Sequence, residues 1–291
     1  MESFVFENRK IIHFFSNKFG NIKYILLFCG MKKLLLIANP PYMKKSSNRA
    51  QSWSKAKKTG HLNENNVCQE LGKGFSTSNR KVESIFGDKT PPKTDIYGKF
   101  NLSLKKSLGG QVHMNTVRRW ILGFELIYGE IPENVKKVFL ILFGGYQSID
   151  EILSSPEYVH PNPKIRKTEV RRKTLTIETL EKYDSDSLTQ FISWIEENIC
   201  NIAELVFKKG WAKNSEDWAS ILWYKNSFGE NNIDQKFDIQ ELIFNCQGKK
   251  VSKGTKNGGT TIQLPFGHIQ FHQGGLQFHH NFEKINKLFT N

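Results

Sequence analysis

The spacing of apolar residues along the chain predicts where its longest helices and strands lie. Apolar residues at intervals of three and four predict a helix over residues 188–206, with Asp186 or Ser187 as its N-cap. The same spacing predicts a second amphipathic helix over residues 112–128. The unbroken apolar run at 138–143 predicts a strand that is buried on both faces.

Shorter patterns predict the remaining elements. A helix is expected over residues 63–71, and short β-like runs fill residues 82–105. The polar, basic residues 43–60 indicate a surface loop or a mobile arm. In the tail, residues 270–278 indicate two strands that flank a turn at Gly274 and Gly275.

These elements predict the fold class α/β, with a mixed central β-sheet flanked by helices and a C-terminal α+β extension. Changes in composition suggest an N-terminal extension of uncertain structure over 1–30, a core over 31–175, and a helical and β region over 176–291. One continuous domain fits the same pattern. Met31, which precedes two lysines, is an alternative start of translation.

The charge of the chain points to a polyanionic partner. Its 291 residues include 42 Lys and Arg against 28 Asp and Glu, which gives a formal net charge of +14. Such a field attracts nucleic acid above all, although a generically basic protein is the alternative. Because 38% of the residues are hydrophobic, disorder is excluded as the main state.

Cysteine use and hydropathy predict a cytoplasmic protein that does not enter a membrane. The four cysteines, at positions 29, 68, 200 and 246, form no C-x-x-C pair, so we expect reduced thiols and no structural zinc. The most apolar early run, residues 22–37, is interrupted by lysines and a glycine, and it therefore does not predict a membrane span.

The most informative stretch is residues 87–110, which predict a β-hairpin. Residues 95–97 end one strand, Gly98 allows the turn, and the next strand covers residues 100–105. Because side chains alternate between the two faces of a strand, Phe100, Leu102 and Leu104 should enter a core while Ser103 and Lys105 share the polar face. Asp95 can then meet Ser103 and Lys105 across the ladder, since facing positions lie about 5 Å apart.

An acid, a hydroxyl and a lysine on one face of a sheet suit phosphodiester hydrolysis. Mg²⁺ takes oxygen ligands and keeps several waters, so Asp95 and the backbone carbonyl of Leu104 are candidate ligands. Lys105 would orient the attacking water and stabilise the developing charge. The alternative is a solvated hairpin with an ordinary surface aspartate and lysine.

The same residues resemble a known family. Asp95, followed ten positions later by Lys105, is similar to the PD-(D/E)xK nuclease signature. The flanking segments KTPPKTDI and NLSLKKSLGGQVH resemble type II restriction endonucleases with an S-x-K form of this motif, and GHLNE, which contains Glu64, resembles the first helix of those enzymes. The resemblance covers roughly residues 58–150.

The resemblance implies a restriction-endonuclease-like fold and a catalytic site of Asp95, Ser103, Lys105 and Glu64. It implies Mg²⁺ as cofactor, held by Asp95, Glu64 and the Leu104 carbonyl, and site-specific hydrolysis of double-stranded DNA within a restriction-modification system. The cognate methyltransferase would be a genetic rather than a physical partner. A homodimer is expected because two-fold symmetry matches a palindromic site.

Two positions depart from the family pattern. Thr94 replaces the proline that precedes the aspartate, and Ser103 stands where a second acid is usual. The second change removes a metal-binding charge, which Glu64 would restore if its helix packs over the hairpin.

The predicted DNA contacts come from both halves of the chain. The resemblance matches Gln111 and His113 to a glutamine and a histidine in a helix that follows the motif. We expect catalysis in the core over 31–175, and DNA recognition or dimerisation in the region over 176–291. Basic segments supply phosphate contacts, while Arg, Asn or Gln side chains read bases. The other candidates for DNA binding are Arg118, Arg119, Arg171, Arg172, Lys253, Gln270 and Gln277.

Two other motifs support different functions. The segment LLLIANPPY, with N-P-P-Y at 39–42, resembles amino-group DNA methyltransferases, but no glycine-rich loop for S-adenosylmethionine accompanies it. The histidines of the tail, at 268, 272, 279 and 280, could mark a metal nuclease of the H-N-H kind, or a polar hairpin whose rings form hydrogen bonds. A basic DNA-binding protein without catalysis is the non-enzymatic alternative.

Overall fold

The computed structural model describes most of the chain in two compact units, Met1–Thr59 and Gly60–Asn291. Side chains are described from Lys55 onward, except those of Ala56 and His272. The backbone is described for residues 3–6, 10–19, 22–27, 35–37, 46–78, 80–144, 152–154, 162–228, 233–254, 260–272 and 275–290.

Sixteen strands are present in the described residues. In chain order they are β1 Ser3–Phe6, β2 Lys10–Phe19, β3 Ile22–Leu27, β4 Leu35–Ile37, β5 Ser76–Thr77, β6 Val82–Glu83, β7 Lys89–Thr90, β8 Ile96–Tyr97, β9 Leu102–Lys105, β10 Gly109–Asn115, β11 Ile221–Lys225, β12 Asp234–Asp238, β13 Ser252–Lys253, β14 Thr261–Leu264, β15 Gly267–His272 and β16 Gly275–Asn281. The first four form an antiparallel sheet in the N-terminal unit.

Nine α-helices with defined bounds accompany these strands in the described residues, and residues 152–154 are also helical. The nine are α1 Ser46–Leu71, α2 Val117–Tyr128, α3 Glu133–Phe139, α4 Pro163–Arg172, α5 Ile177–Tyr183, α6 Ser185–Glu197, α7 Ile199–Ala203, α8 Ile239–Asn245 and α9 Phe282–Thr290. Helices α3 and α7 continue as π-helical turns over Leu140–Gly144 and Glu204–Lys209. None of the described helices has the length and hydropathy needed to cross a bilayer.

Two five-stranded sheets organise the larger unit. Sheet A has the order β12-β11-β9-β8-β5, in which β9 and β11 are parallel and the other pairs antiparallel. Sheet B has the order β10-β16-β15-β14-β13 and is antiparallel throughout. The prediction of a mixed sheet with helices, and of a hairpin in the tail, is therefore confirmed.

The two faces of sheet A pack against different layers. Leu102, Leu104 and Trp223 form a small core with Val67 of α1. On the opposite face, Leu222 and Tyr224 join the main hydrophobic core. Alternation along β9 thus places its two leucines under α1 and leaves Ser103 and Lys105 on the side of the main core.

Several predicted elements are wrong in type or extent. The 138–143 run is helical, because it continues a helix that begins at Glu133, and a short apolar run does not distinguish a buried strand from a buried helix. Residues 46–60 are helical rather than a loop, since their lysines and alanines are good helix formers. Residues 43–45 lie outside the described residues.

Other corrections concern element boundaries. Residues 112–115 belong to β10, and α2 begins only at Val117, where the Thr116 side chain accepts the Arg119 N–H. Gln111 and His113 are therefore on a strand rather than on the helix that the resemblance implied. The long C-terminal helix has Asp184 as N-cap and is interrupted at Asn198.

Phe100 is also placed differently from its prediction. Its side chain is 37% exposed, because β9 begins only at Leu102 and the preceding residues form the turn. Side chains therefore alternate between the two faces within β9 but not in the turn that precedes it. The ring of Phe100 contacts that of Phe75 edge-on, with centroids 5.8 Å apart.

Trp120 of α2 is at the centre of the main core. It is fully buried, and its ring lies 4.7 Å from that of Phe139 and 5.7 Å from that of Phe278 of sheet B. Among the described residues, its buried indole N–H has no hydrogen-bond partner. Trp120 therefore stabilises the fold through packing rather than hydrogen bonding.

We expect Trp120→Ala to lower the free energy of unfolding by about 3–5 kcal/mol, because it removes a fully buried aromatic side chain and leaves a cavity. Trp120→Phe should cost clearly less, since it keeps a ring and removes an unpaired N–H. Urea unfolding followed by circular dichroism measures both. Equal losses for the two variants would contradict the packing role.

Candidate functional site

The β8–β9 hairpin brings Asp95 next to Ser103 and Lys105. The backbone N–H of Asp95 donates to the Leu102 carbonyl at 2.7 Å, and Ile96 pairs with Leu102. The Asp95 carboxylate oxygen Oδ2 then accepts the Leu104 N–H at 2.7 Å and the Ser103 hydroxyl at 3.3 Å. Beyond the backbone pairing of β8 with β9, the Asp95 side chain forms the next hydrogen bonds to β9. These bonds fix the position of the Asp95 carboxylate.

Lys105 is held by oxygen atoms of the same hairpin. Its ammonium Nζ donates to Ser103 Oγ at 2.9 Å and to the Leu104 carbonyl at 3.2 Å, and it lies 3.6 Å from Asp95 Oδ2. The Lys105 side chain is 16% exposed and that of Asp95 28% exposed. The predicted acid, hydroxyl and lysine therefore lie together, partly shielded from water.

Ser103 connects the two charged groups. It is buried, donates to Asp95 and accepts from Lys105. A carboxylate in its place would add a metal-binding charge, whereas the hydroxyl adds only a neutral oxygen. In this arrangement, the clearest contribution of Ser103 is to orient Asp95 and Lys105.

Glu64 of α1 lies within electrostatic range of Asp95 and Lys105. Burial raises the pKa of the Glu64 carboxyl, and the nearby negative charge of Asp95 raises it further. His61, whose Nδ1 lies 3.0 Å from Glu64 Oε2, opposes this rise. A cation near these two carboxylates would reduce their repulsion.

The raised pKa of Glu64 has a consequence for stability. The pKa of this carboxyl is 4.5 in the unfolded chain and higher in the folded protein. Its contribution to stability is therefore fully present at pH values below 4.5, and it is lost as the pH rises through the folded pKa. Glu64→Gln is neutral at every pH. We therefore expect it to raise the melting temperature of the metal-free protein at pH 7 and to change it little at pH 4.

Thermal unfolding in EDTA at the two pH values measures this effect. Glu70→Gln is a matched control on the same helix, because the Glu70 carboxylate pairs with Lys225 at 2.8 Å. Replacing Glu70 should lower the melting temperature at pH 7 or leave it unchanged. A Glu64→Gln variant that melts below wild type at pH 7 would contradict the repulsion between Glu64 and Asp95.

The oxygen donors of the site suit a hard cation that keeps part of its water shell. The Leu104 N–H donates to the Asp95 carboxylate. Because the N–H and C=O of one residue point to the same side of a strand, the Leu104 carbonyl also faces Asp95. The described residues contain no group of three His, Cys, Asp or Glu side chains placed to hold a metal. Asp95 and the Leu104 carbonyl offer oxygen ligands of the kind that Mg²⁺ takes alongside several waters.

A pocket of about 390 Å³ opens beside the hairpin. Asp95, Ser103 and Lys105 line one side of it, and Gln111 and His113 of β10 line another. Arg119 and Trp211 also reach this pocket. Its polar lining and its position next to the acid and lysine make it the candidate binding site for a substrate.

Lys93 is a pocket residue that sequence reasoning missed. Its ammonium Nζ donates to the Val112 carbonyl at 2.6 Å, which ties the segment before Asp95 to β10. Burial and the neighbouring charge of Lys105 lower the pKa of Lys93 to about 7. The only signal in the sequence was its place two residues before Asp95.

Three of the predicted DNA-binding residues line this pocket. Gln111 is exposed, whereas His113 is buried and its Nε2 lies 2.9 Å from the Asn115 amide nitrogen. Burial, with the charge of Lys93, holds the pKa of His113 well below its usual value. Arg119 pairs with Asp88 at 2.8 Å, so it would have to exchange this partner for a phosphate or a base.

The other predicted DNA-binding residues do not line the pocket. Arg118, Arg171 and Arg172 are exposed, and Arg172 lies over the Phe271 ring. Lys253 forms an ion pair with Glu181.

The two glutamines of sheet B are used within the fold. Gln277 is buried and donates to Met114 Sδ at 3.2 Å. The amide nitrogen of Gln270 lies 2.9 Å from His279 Nε2. Contact with a base would require either side chain to give up these partners.

The histidines of the tail form a polar hairpin in the described residues. The rings of His268 and His279 stack 4.6 Å apart, and His280 Nδ1 lies 2.8 Å from the Tyr224 hydroxyl. Burial lowers the pKa of His280 to about 3. These contacts favour the hairpin over a metal-binding cluster, while the N-P-P-Y segment at 39–42 lies outside the described residues.

Comparison with known proteins adds no family to this description, because neither models of protein families nor curated proteins match the chain significantly.

Proposed function

We propose that this protein is a Mg²⁺-dependent endonuclease that hydrolyses phosphodiester bonds in double-stranded DNA. The observation that carries the proposal is the convergence of Asp95, Ser103 and Lys105 within 3.6 Å of one another at the side of an open polar pocket. The net charge of +14 supports a polyanionic substrate.

Each residue of the site has a distinct role in this proposal. Asp95, Glu64 and the Leu104 carbonyl would hold Mg²⁺, which when bound supplies Lewis-acid stabilisation of the negative charge that develops on the phosphodiester. Lys105 orients the attacking water and places a fixed positive charge beside the reacting phosphate. Ser103 keeps Lys105 and Asp95 at their observed separation.

We also propose that the protein is a type II restriction endonuclease of the PD-(D/E)xK kind. A short antiparallel hairpin that carries the acid and lysine within a mixed sheet is compatible with the restriction-endonuclease-like fold of PD-(D/E)xK nucleases. A type II enzyme of this kind would act at a specific sequence in a restriction-modification system. The homodimer and the cognate methyltransferase as genetic partner belong to the same proposal.

One assay distinguishes the nuclease from its alternatives. Purified protein is incubated with plasmid DNA and Mg²⁺, and in parallel with labelled S-adenosylmethionine. Discrete DNA fragments support the proposal, whereas transfer of label without cutting would support a methyltransferase. A mobility shift of the DNA without cutting or labelling would support a DNA-binding protein whose site lost activity with the acid that Ser103 replaces.

A further inference from the structure

A second cleft lies at the end of sheet B opposite β10, the strand that lines the Asp95 pocket, and four lysines line this cleft. It measures about 320 Å³ and lies between strands β13 and β14 and helix α9. We call this cavity the lysine cleft, after its lysines Lys249, Lys250, Lys284 and Lys287. In the described part of the chain, no Asp or Glu is among its lining residues. The positive potential of such a cavity favours anionic ligands.

Lys284 gives this cleft a charge that the fold does not neutralise. Its ammonium donates to Gln263 Oε1 at 2.9 Å, to the Leu264 carbonyl at 3.0 Å and to the Gly267 carbonyl at 2.9 Å. These three neutral oxygens satisfy its hydrogen bonds and fix its position. Within the described residues it has no carboxylate partner, so an anion in the cleft would compensate its partial burial.

The remaining lysines differ in how much they are already neutralised. Lys250 pairs with Glu196 at 3.2 Å but remains 88% exposed. Lys249 and Lys287 are exposed, and no carboxylate in the described residues forms an ion pair with either. These last two ammonium groups are therefore the ones best placed to contact an anion from solvent.

A row of polar side chains connects the lysine cleft with the candidate active site. Residues that pair directly across neighbouring strands point to the same face of a sheet. In sheet B, one such series runs from β10 to β13 through the pairs Gln111–His279, His279–His268, His268–Gln263 and Gln263–Ser252. Gln111 lines the active-site pocket, while Gln263 and Ser252 line the lysine cleft. We call these five residues the polar row.

The opposite face of sheet B is part of the main core, where Ile262, Ile269 and Phe278 are buried. The polar row therefore lies on the face opposite this core, where Gln111 and Ser252 are exposed and the three residues between them are partly buried. Four strand spacings separate its ends, which is a distance of about 19 Å. One strand of duplex DNA places a phosphate every 3.4 Å or so along the helix axis, so about five or six phosphates span this distance.

From this arrangement we infer that the lysine cleft binds the phosphodiester backbone of the same duplex whose scissile strand occupies the Asp95 pocket, with the DNA lying along the polar row. The inference rests on the proposed function, and it names a contact that fixes the substrate about half a helical turn from the bond that is cut. Lys249 and Lys287 contact phosphates, whereas Lys284 holds the floor of the cleft.

The test is DNA binding by the double variant Lys249→Gln/Lys287→Gln in EDTA, so that its result does not depend on cleavage. Affinity for a 30-base-pair duplex is measured from low to moderate salt. Two lost phosphate contacts should lower the slope of log affinity against log salt by about two and weaken binding roughly tenfold or more at low salt. The control Lys137→Gln/Lys182→Gln removes the same charge from exposed lysines of α3 and α5 and should bind as wild type does.

The outcomes separate this inference from the proposed function. If wild type cuts DNA and the cleft variant keeps the wild-type affinity and salt slope, the inference is wrong and the nuclease remains. The inference also fails if the control variant loses as much as the cleft variant, since the effect would then be one of net charge. A wild-type protein that does not bind duplex DNA at low salt would overturn both.

Discussion

Lys105→Ala should lower the rate of DNA cleavage by about 10²–10³-fold, because it removes the ammonium that lies 3.6 Å from Asp95 Oδ2. DNA affinity measured in EDTA should change little, since most of the binding energy comes from other phosphate contacts. The initial rate of plasmid cutting under saturating Mg²⁺ and the affinity for a duplex are the two readouts.

Lys106→Ala is the matched control, because it alters the next lysine in the chain. The Lys106 ammonium lies 5.5 Å from the centroid of the Phe228 ring, and its side chain does not line the Asp95 pocket. We expect this variant to cut at the wild-type rate. Normal cutting by Lys105→Ala together with loss of cutting by Lys106→Ala would show that the wrong lysine was assigned.

Asp95→Asn should abolish cleavage and also the stabilisation that Mg²⁺ gives to the fold. Asparagine keeps an oxygen that can accept the Leu104 N–H, so the hairpin should survive the change. For wild type, Mg²⁺ at about a hundredfold excess over its dissociation constant adds about 2.7 kcal/mol, which corresponds to a rise in melting temperature of roughly 5–10 °C. The Asp95→Asn variant should show no such rise.

Thermal unfolding with and without Mg²⁺ measures this difference apart from catalysis. Asp186→Asn serves as control, because Asp186 is an exposed carboxylate in the first turn of α6. It should keep the full Mg²⁺-dependent shift. An Asp95→Asn protein that is stabilised by Mg²⁺ as strongly as wild type would place the cation elsewhere.

The parts of the site that are close in sequence were predictable from the sequence. Asp95, Ser103 and Lys105 belong to one hairpin, so alternation along β9 and the short turn suffice to bring them together. The same local reasoning anticipated the hairpin of the tail. It failed for Phe100, where the strand had not yet begun.

The parts that depend on distant contacts were not predictable in this way. The parallel pairing of β9 with β11 joins Leu102 to Ile221, and no local pattern indicates such a partner. The tie between Lys93 and Val112 depends likewise on how β10 is placed against the hairpin. The apolar run at 138–143 was predicted as a strand but is helical, because burial alone does not determine secondary structure.

The central claim is that Asp95 and Lys105 act with a bound cation to hydrolyse DNA, and a Mg²⁺ titration tests it most directly. The initial rate of cutting of a supercoiled plasmid by EDTA-treated wild-type protein is measured as Mg²⁺ is added back. We predict no cutting without the metal and a rate that rises to saturation with it. Cutting that is unchanged in EDTA, or no cutting of any duplex sequence at any Mg²⁺ concentration, would contradict the claim.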